Sequence, residues 1–460
     1  MAVVLTGVYA GFAYSTLSGS VTKVDAIPQA GAKDDDVDGK AQNILLVGDD
    51  HRPEGATQEQ MNELSTTDDG GSTNTDTMIV LHIAADGKSA TMISFPRDSY
   101  VDIPGVGKGK LNSAFYYGTL NGGGNAGGAQ LLIKTIQGLS GLTIDHYVRV
   151  SLLGFYQIVQ QLGPVQVCLK NAVQDPYSGI DLPAGNSELT AKQALSFVRQ
   201  RHGLPNGDLD RQVRQQYFLS QEARKILSAG TLLNPVKTTS ILDTIGKSVE
   251  TDQGFDLLSL ATQMRHLRPA NIRSATIPTL GTPTIYVNGS ALSIVEVDQA
   301  GMPAFIQSLV GAPEAYTKAT AADPSTVSVT VHNGSGVTGA AAAASTILTG
   351  RGFQVGAPGS ETLTSSTVVE YPSGMEAQAK AVVAAVPGAT AVQTATVSGV
   401  TLLLGTDGKT AVAQQPTGGA STPTSGDGGS SGSSGSSKEP SAPKSTQAGH
   451  AYGTSSACIN

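Results

Sequence analysis

The chain is predicted to be α/β, a central β-sheet flanked by helices, with a small α/β domain behind it and a Gly/Ser tail. Three observations predict this. From Asn43 to about Pro313 short apolar runs alternate with helical stretches, the pattern of a layered sheet. From Thr326 to about Gly405 a strand, a turn, an Ala-rich helix and another strand repeat that pattern on a smaller scale. After Thr406 the composition turns to Gly, Ser, Thr and Pro, which cannot bury enough apolar area to fold. The 460 residues are enough for two or three domains. The expected divisions are 1–20, an apolar anchor; 21–40, a polar spacer; 41–313, the main α/β domain; 314–325, a polar linker; 326–405, the small domain; and 406–460, a flexible tail.

Taken in order, Met1–Gly19 carries no charge, and the first charged side chain is Lys23. A helix needs roughly 20 apolar residues to cross a bilayer core, so a single-pass anchor is the reading taken, with a cleaved signal peptide and a core helix as alternatives. Asp34–Gly39 opens like a calcium loop, D-x-D-x-D-G, but the twelfth position is Leu45 rather than Glu, so a solvated linker is expected. Strands are predicted at Ile44–Val47, Met78–Ile83, Ala90–Phe95, His146–Val150 and Val165–Leu169. Helices are predicted at Ala129–Leu139, Ser151–Leu162, Ala191–Arg199 and Asp210–Ser228. Thr190 and Gln193 have the spacing of a capping box, which starts the third of these helices. Val327–Val331 alternates as a strand, and Gly350-Arg351-Gly352-Phe353 closes the Ala-rich helix of the small domain.

Composition excludes some functions. The formal net charge is −8, so no nucleic-acid partner is expected. Only Cys168 and Cys458 are present, with no Cys/His cluster, which removes structural zinc. The two thiols, 290 positions apart, are either a staple in an oxidising compartment or a buried and a free cysteine, and spacing does not choose. Gly122–Gly127 matches G-x-G-x-x-G but lacks the preceding strand that a dinucleotide site requires, so a mobile loop is expected there.

Two arginine clusters stand out in this sparsely charged chain. Pro96-Arg97-Asp98 ends a predicted strand, and Asp76 opens the strand before it. The second cluster is Arg199-Gln200-Arg201-His202, followed by Asp208, Arg211, Arg214 and Gln215. On a helix Arg211, Arg214, Gln215 and Phe218 share a face by i, i+3, i+4, i+7 spacing. Guanidinium groups match phosphate oxygens two at a time, and paired carboxylates beside phosphate hold Mg²⁺.

The strings NILLVGDDHR, NTDT, SFPRDSYVDIPG, KLNSAF, IDHYVRVSLLGF, GPVQV, LTAKQALSFVRQRHG and GDLDRQVRQQ occur in this order. Together they resemble the LytR-CpsA-Psr family of cell-envelope phosphotransferases over roughly residues 41–230. The segment VTVHNGSGVTGAAA resembles the LytR C-terminal domain that follows the catalytic domain in actinobacteria. The resemblance implies a mixed central sheet with an apolar lipid groove. It implies transfer of a glycopolymer from a polyprenyl-pyrophosphate carrier to peptidoglycan, by a membrane-anchored protein whose catalytic body is extracytoplasmic. By position it implies catalytic roles for Arg97, Asp98, Arg199, Arg201, Asp208 and Arg211. It implies substrate binding by Arg52 (with Asp50 in the same motif), Lys110, Asn112, Arg214 and Gln215, and Mg²⁺ or Mn²⁺ on Asp76 and Asp98. Asp208 is either a general base or an arginine orienter. Asn74 departs from the family pattern, in which arginine commonly stands two positions before the Asp76 aspartate. The alternatives kept beside transfer are a polyprenyl-phosphate binding or regulatory protein and a lipid pyrophosphatase; metal dependence separates turnover from mere binding.

Overall fold

The computed structural model describes residues 21–27, 41–49, 64, 75–226, 235–312, 314–394, 397–413, 450–451 and 458–460. The expected anchor at 1–20, Asp34–Gly39, Asp50, Arg52 and Asn74 lie outside them. Among the described residues no helix is long and apolar enough to cross a membrane. The chain forms two compact units, Met1–Val297 with Thr446–Asn460, and Asp298–Ser445.

The first unit is built on an eight-stranded mixed sheet. Its strands are β1 (Thr22–Val24), β2 (Gln42–Asp49), β3 (Thr75–Ile83), β4 (Ala90–Ser94), β5 (His146–Val150), β6 (Val249–Asp252), β7 (Ile272–Thr276) and β8 (His450–Ala451). Their order is β1-β6-β5-β2-β3-β4-β7-β8. The pairs β2–β3 and β3–β4 are antiparallel, while β2–β5 and β4–β7 are parallel. All five residues of β4 are buried, as an apolar run covered on both faces should be.

Six helices matter for the site: α1 (Ser113–Thr119), α2 (Gly124–Ser140), α3 (Leu152–Leu162), α4 (Ala191–Arg199), α5 (Asp208–Ile226) and α6 (Pro235–Ser248). The Thr190–Gln193 capping box forms, with the Thr190 hydroxyl accepting from the Gln193 N–H at 3.3 Å and the Gln193 amide oxygen accepting from the Thr190 N–H at 3.0 Å. Helix α5 is a hinge of packing. Leu219 and Ala223 join the sheet-side core with Ile44, Ile79 and Met92. Tyr217 and Phe218 join a second core with Leu152, Val159, Val165, Leu189 and Phe197.

The glycine-rich stretch at 122–127 is not the loop expected. Gly124 starts α2, and α1 lies against it so closely that a Cβ on Gly118 would stand 2.3 Å from the Gly127 carbonyl oxygen. Glycines there allow two helix backbones to touch, a use of glycine with no hydrophobic period to announce it.

The second unit has its own sheet, in the order Gln354–Val355, Ser328–Asn333, Val400–Leu404, Val368–Tyr371, Thr390–Gln393, with Gly359–Ser360 also on Ser328–Asn333. Helices Ala340–Gly350 and Glu376–Ala385 supply Ala344, Leu348, Ala379 and Val382 to its core. Residues 314–325, expected as linker, contain the helix Glu314–Lys318, and the Lys380 ammonium donates to the carbonyls of Tyr316, Thr317 and Ala319 at its end. A cation on the unpaired carbonyls of a helix C-terminus is how so short a helix is held. Residues 407–413, expected as tail, are packed on the second unit. Ala411 is buried and the Val412 N–H donates to Ala385. At its far end Cys168 and Cys458 form a disulfide, and Ile459 joins the second core of the first unit.

Candidate active site

The two arginine clusters, more than a hundred residues apart in sequence, meet. Antiparallel pairing of β3 with β4 places Asp76 near the end of one strand and Arg97-Asp98 just after the other. The Arg97 guanidinium is the node. Its NH1 donates to Asp76 Oδ1 at 2.6 Å, and its Nε lies 3.6 Å from Asp98 Oδ2 and 3.5 Å from Asp208 Oδ1. Arg211, one turn into α5, reaches Asp208 Oδ1 at 2.8 Å and Asp76 Oδ2 at 3.8 Å, and donates to the Asp76 carbonyl at 3.2 Å. Lys110 donates to Asp98 Oδ1 at 2.8 Å.

Electrostatics follow from this crowding. Burial would raise the Asp76 carboxyl, but Arg97, Arg211 and Arg201 together hold it below the usual carboxylate range. Burial would lower Arg97, yet Asp76, Asp208 and Asp98 raise it. Burial prevails at Arg211, which is lowered despite Asp208 and Asp76. The polar atoms are not saturated. Both Asp208 carboxylate oxygens, Arg97 Nε and Arg211 Nε are buried without a partner of hydrogen-bond geometry, although the ion-pair distances are short. Such a surplus suits a site that completes its bonds with a ligand.

Beside this network opens a cavity of about 370 Å³. Its mouth carries Asp76, Arg199, Arg201, Arg211 and Gln215; its walls are apolar, with Leu46, Ile79, Val148, Phe155, Val159 and Phe218 among them. Sheet strands β2, β3 and β5 form one side, and α3, α4 and α5 the other. Arg199 closes α4 and its NH1 donates to the Leu64 carbonyl at 3.1 Å. Arg201 is exposed at the rim. Gln215 is held by its amide on the Val198 carbonyl at 3.3 Å.

The remaining expected residues are placed differently. Arg97, Asp98, Lys110 and Asp208 stand behind the mouth rather than in the cavity wall, joined to it through Asp76 and Arg211. Asn112 contributes through its backbone, accepting from the Thr75 N–H at 3.5 Å and donating to the Arg97 carbonyl at 3.0 Å. Arg214 does not face the cavity at all; it is fully buried over the Phe197 ring. Two features escaped sequence reading. Arg149 pairs with Asp49 on the neighbouring strand and with Glu250 at 3.3 Å, bracing the sheet edge of the mouth. Glu222 sits in the cavity wall, 6% exposed, with neither carboxylate oxygen hydrogen-bonded, and burial pushes it up to about 7. Extending the Arg211, Gln215, Phe218 row by four residues finds it.

For a divalent cation the donor chemistry fits. Asp76 and Asp98 lie within reach of one guanidinium, and Mg²⁺ is commonly held by one or two carboxylates together with phosphate oxygens. Among the described residues no group of three or more His, Cys, Asp or Glu could hold a metal by itself, so phosphate oxygens would have to complete the shell.

Residues 9–304 match the model of the LytR_cpsA_psr family. The chain belongs to the LytR-CpsA-Psr family. Behind this family domain, residues 326–407 match the model described as LytR cell envelope-related transcriptional attenuator. Among relatives, cell wall biosynthesis protein LcpA of Corynebacterium glutamicum is 36% identical over 326 residues, 64% of this chain and 62% of its own. The polyisoprenyl-teichoic acid–peptidoglycan teichoic acid transferase TagU of Oceanobacillus iheyensis is 35% identical over 218 residues, 47% of this chain and 61% of its own. Among solved structures, protein gbs0355 of Streptococcus agalactiae is 22% identical with a TM-score of 0.48, covering 60% of this chain and 90% of that one. This LytR-CpsA-Psr protein therefore spans about three fifths of the length of the curated relatives it matches.

Proposed function

We propose that the first unit is a phosphotransferase that moves a glycopolymer from a polyprenyl-pyrophosphate carrier to peptidoglycan. One observation carries the reading: a single cavity joins an apolar interior to a mouth of three arginines, which is the polarity of a lipid pyrophosphate. The TagU relative, named as a transferase of teichoic acid between a polyisoprenyl carrier and peptidoglycan, supports the same assignment.

In this reading the prenyl chain lies against Leu46, Ile79, Val148, Phe155 and Phe218, and Arg199, Arg201 and Arg211 take the phosphate oxygens. An acceptor sugar hydroxyl attacks the sugar-linked phosphorus. A new P–O bond forms as the bridging P–O bond breaks, polyprenyl phosphate leaves with the electron pair, and the hydroxyl proton passes to the departing phosphate or to solvent. Arg211, already fixed by Asp208 and Asp76, needs little reorganisation as charge develops, which is where most of the rate gain in phosphoryl transfer arises. Asp208 acts as an orienter of Arg97 and Arg211. Mg²⁺ on Asp76 and Asp98, when bound, supplies further charge neutralisation at the phosphates. The Cys168–Cys458 bond supports placing the body outside the cytoplasm, where disulfides persist. The expected anchor at 1–20 would hold it at the membrane.

The test is turnover by the full chain of a polyprenyl-pyrophosphate-linked oligosaccharide, with and without peptidoglycan fragments. Arg201→Ala and Asp98→Ala are expected to lower kcat/KM by about 100-fold or more. Unchanged turnover in both removes these roles, and release of polyprenyl phosphate without any glycan product in the presence of acceptor replaces transfer by hydrolysis.

A further inference from the structure

Arg214 has the motif position of a substrate-binding arginine, but the structure turns it away from the cavity. It is 0% exposed, its guanidinium lies 5.0 Å from the Phe197 ring centroid, and burial lowers it to about 10, so it stays charged at neutral pH. Among the described residues no Asp or Glu side chain forms an ion pair with it. NH1 donates to Gln200 Oε1 at 2.5 Å, and Nε donates to the Asn460 backbone oxygen at 3.1 Å. Gln200 is itself buried, and its Nε2 donates to the His202 carbonyl at 3.0 Å. Gln200 stands between Arg199 and Arg201, two of the three arginines at the cavity mouth, and its bond to His202 spans Arg201.

The far end of the chain of bonds is equally well fixed. Cys458 is covalently tied to Cys168. Ile459 is buried, its N–H donates to the Cys168 carbonyl at 3.0 Å, and its carbonyl accepts from the Lys170 N–H at 2.8 Å. Three residues, Cys458-Ile459-Asn460, thus add a short strand-like segment beside Val165–Leu169 and present a backbone oxygen to a buried cation. A buried guanidinium that lost this acceptor would have one oxygen fewer in a dry site, and would shift to regain it.

We propose that Cys458–Asn460 is a clasp that sets the geometry of the anion-binding turn, acting through Arg214 and Gln200 as positioning residues. The inference rests on the reading that Arg199 and Arg201 hold the pyrophosphate. It assigns Arg214 to holding that turn rather than touching substrate. It also makes the disulfide a determinant of headgroup binding: breaking it releases Asn460, then Arg214, then the turn. The apolar walls are lined by other residues, none of them in this chain of bonds.

Two probes that differ only in the headgroup test this, farnesyl pyrophosphate and farnesol, titrated against the full chain by calorimetry. Cys168→Ser/Cys458→Ser, and separately Gln200→Met, should weaken farnesyl pyrophosphate about tenfold or more while leaving farnesol within about twofold. Each variant is first shown by thermal unfolding to be folded at the assay temperature. Should the cysteine variant fail that check, Gln200→Met decides, because it leaves the disulfide and Asn460 in place. A general structural role would lower both affinities together. That outcome, or no change in either, overturns the clasp while leaving the proposed function standing. A wild-type chain that binds farnesol no more weakly than farnesyl pyrophosphate refutes the arginine mouth itself, and the clasp with it.

Discussion

Glu222 is buried in the cavity wall with neither carboxylate oxygen hydrogen-bonded. Its ordinary value is 4.5 and burial raises it to about 7, so the folded state holds a proton that the unfolded state releases. The stability associated with that proton is full below about pH 4.5 and is lost as pH rises through about 7. Over that window the loss amounts to roughly 3 kcal/mol at most. Glu222→Gln should therefore be more stable than wild type at pH 8 and no more stable at pH 4, which urea unfolding at the two pH values will show. Much of the mouth was readable residue by residue. Arg211, Gln215 and Phe218 were placed on one face by period alone, and the carboxylates beside Arg97 by its position after a strand. Arg214 was misplaced because it stands about 60° round the helix from Arg211, at the border where a face turns into the next contact. Asp49 and Arg149 were passed over because strand pairing, not spacing, brings them together.

Helix α5 carries both ends of the cavity. From Arg211 at the mouth to Glu222 in the wall is about 16 Å of helix rise, so one rigid element spaces the charged and apolar portions. A bulky residue midway should divide them. Leu219→Trp is expected to weaken farnesyl pyrophosphate by about tenfold or more, and to leave a short-chain pyrophosphate such as dimethylallyl pyrophosphate nearly unaffected. Equal losses on both would mean that the chain does not run along α5. A second element, α3, is held so closely that a Cβ on Gly154 would stand 2.4 Å from the Ser248 carbonyl oxygen. Gly154→Ala should cost about 1–3 kcal/mol, read as a lower unfolding midpoint. Elements with a strong period or a capping signal, such as α4 with its Thr190–Gln193 box, were legible from sequence. The pair α1–α2 was not, because its glycines serve backbone contact and leave no amphipathic stripe.

At the scale of the molecule the strands were largely predictable and their order was not. The pairing of β3 with β4 follows from a short antiparallel connection, but β5 and β7 enter by long crossovers whose partners no local pattern names. The same holds for the disulfide, which joins positions 290 apart. Closing so long a loop removes chain entropy from the unfolded state worth on the order of 5 kcal/mol. Reduction should accordingly lower the urea midpoint of the first unit, by an amount equivalent to about 2–5 kcal/mol, with the cysteine-to-serine variant showing no further response to reductant. The charge at the cavity mouth has a consequence for salt. With Asp49 paired to Arg149, the cavity lining sets Arg199, Arg201 and Arg211 against Asp76 and Asp175, a local cationic excess that a diphosphate offsets. Recognition of the carrier then relies less on attraction across open solvent than on cancelling a local excess in a sheltered place, where dissolved ions screen poorly. Lipid capture by this protein should persist at ionic strengths that strip peripheral proteins from acidic membranes.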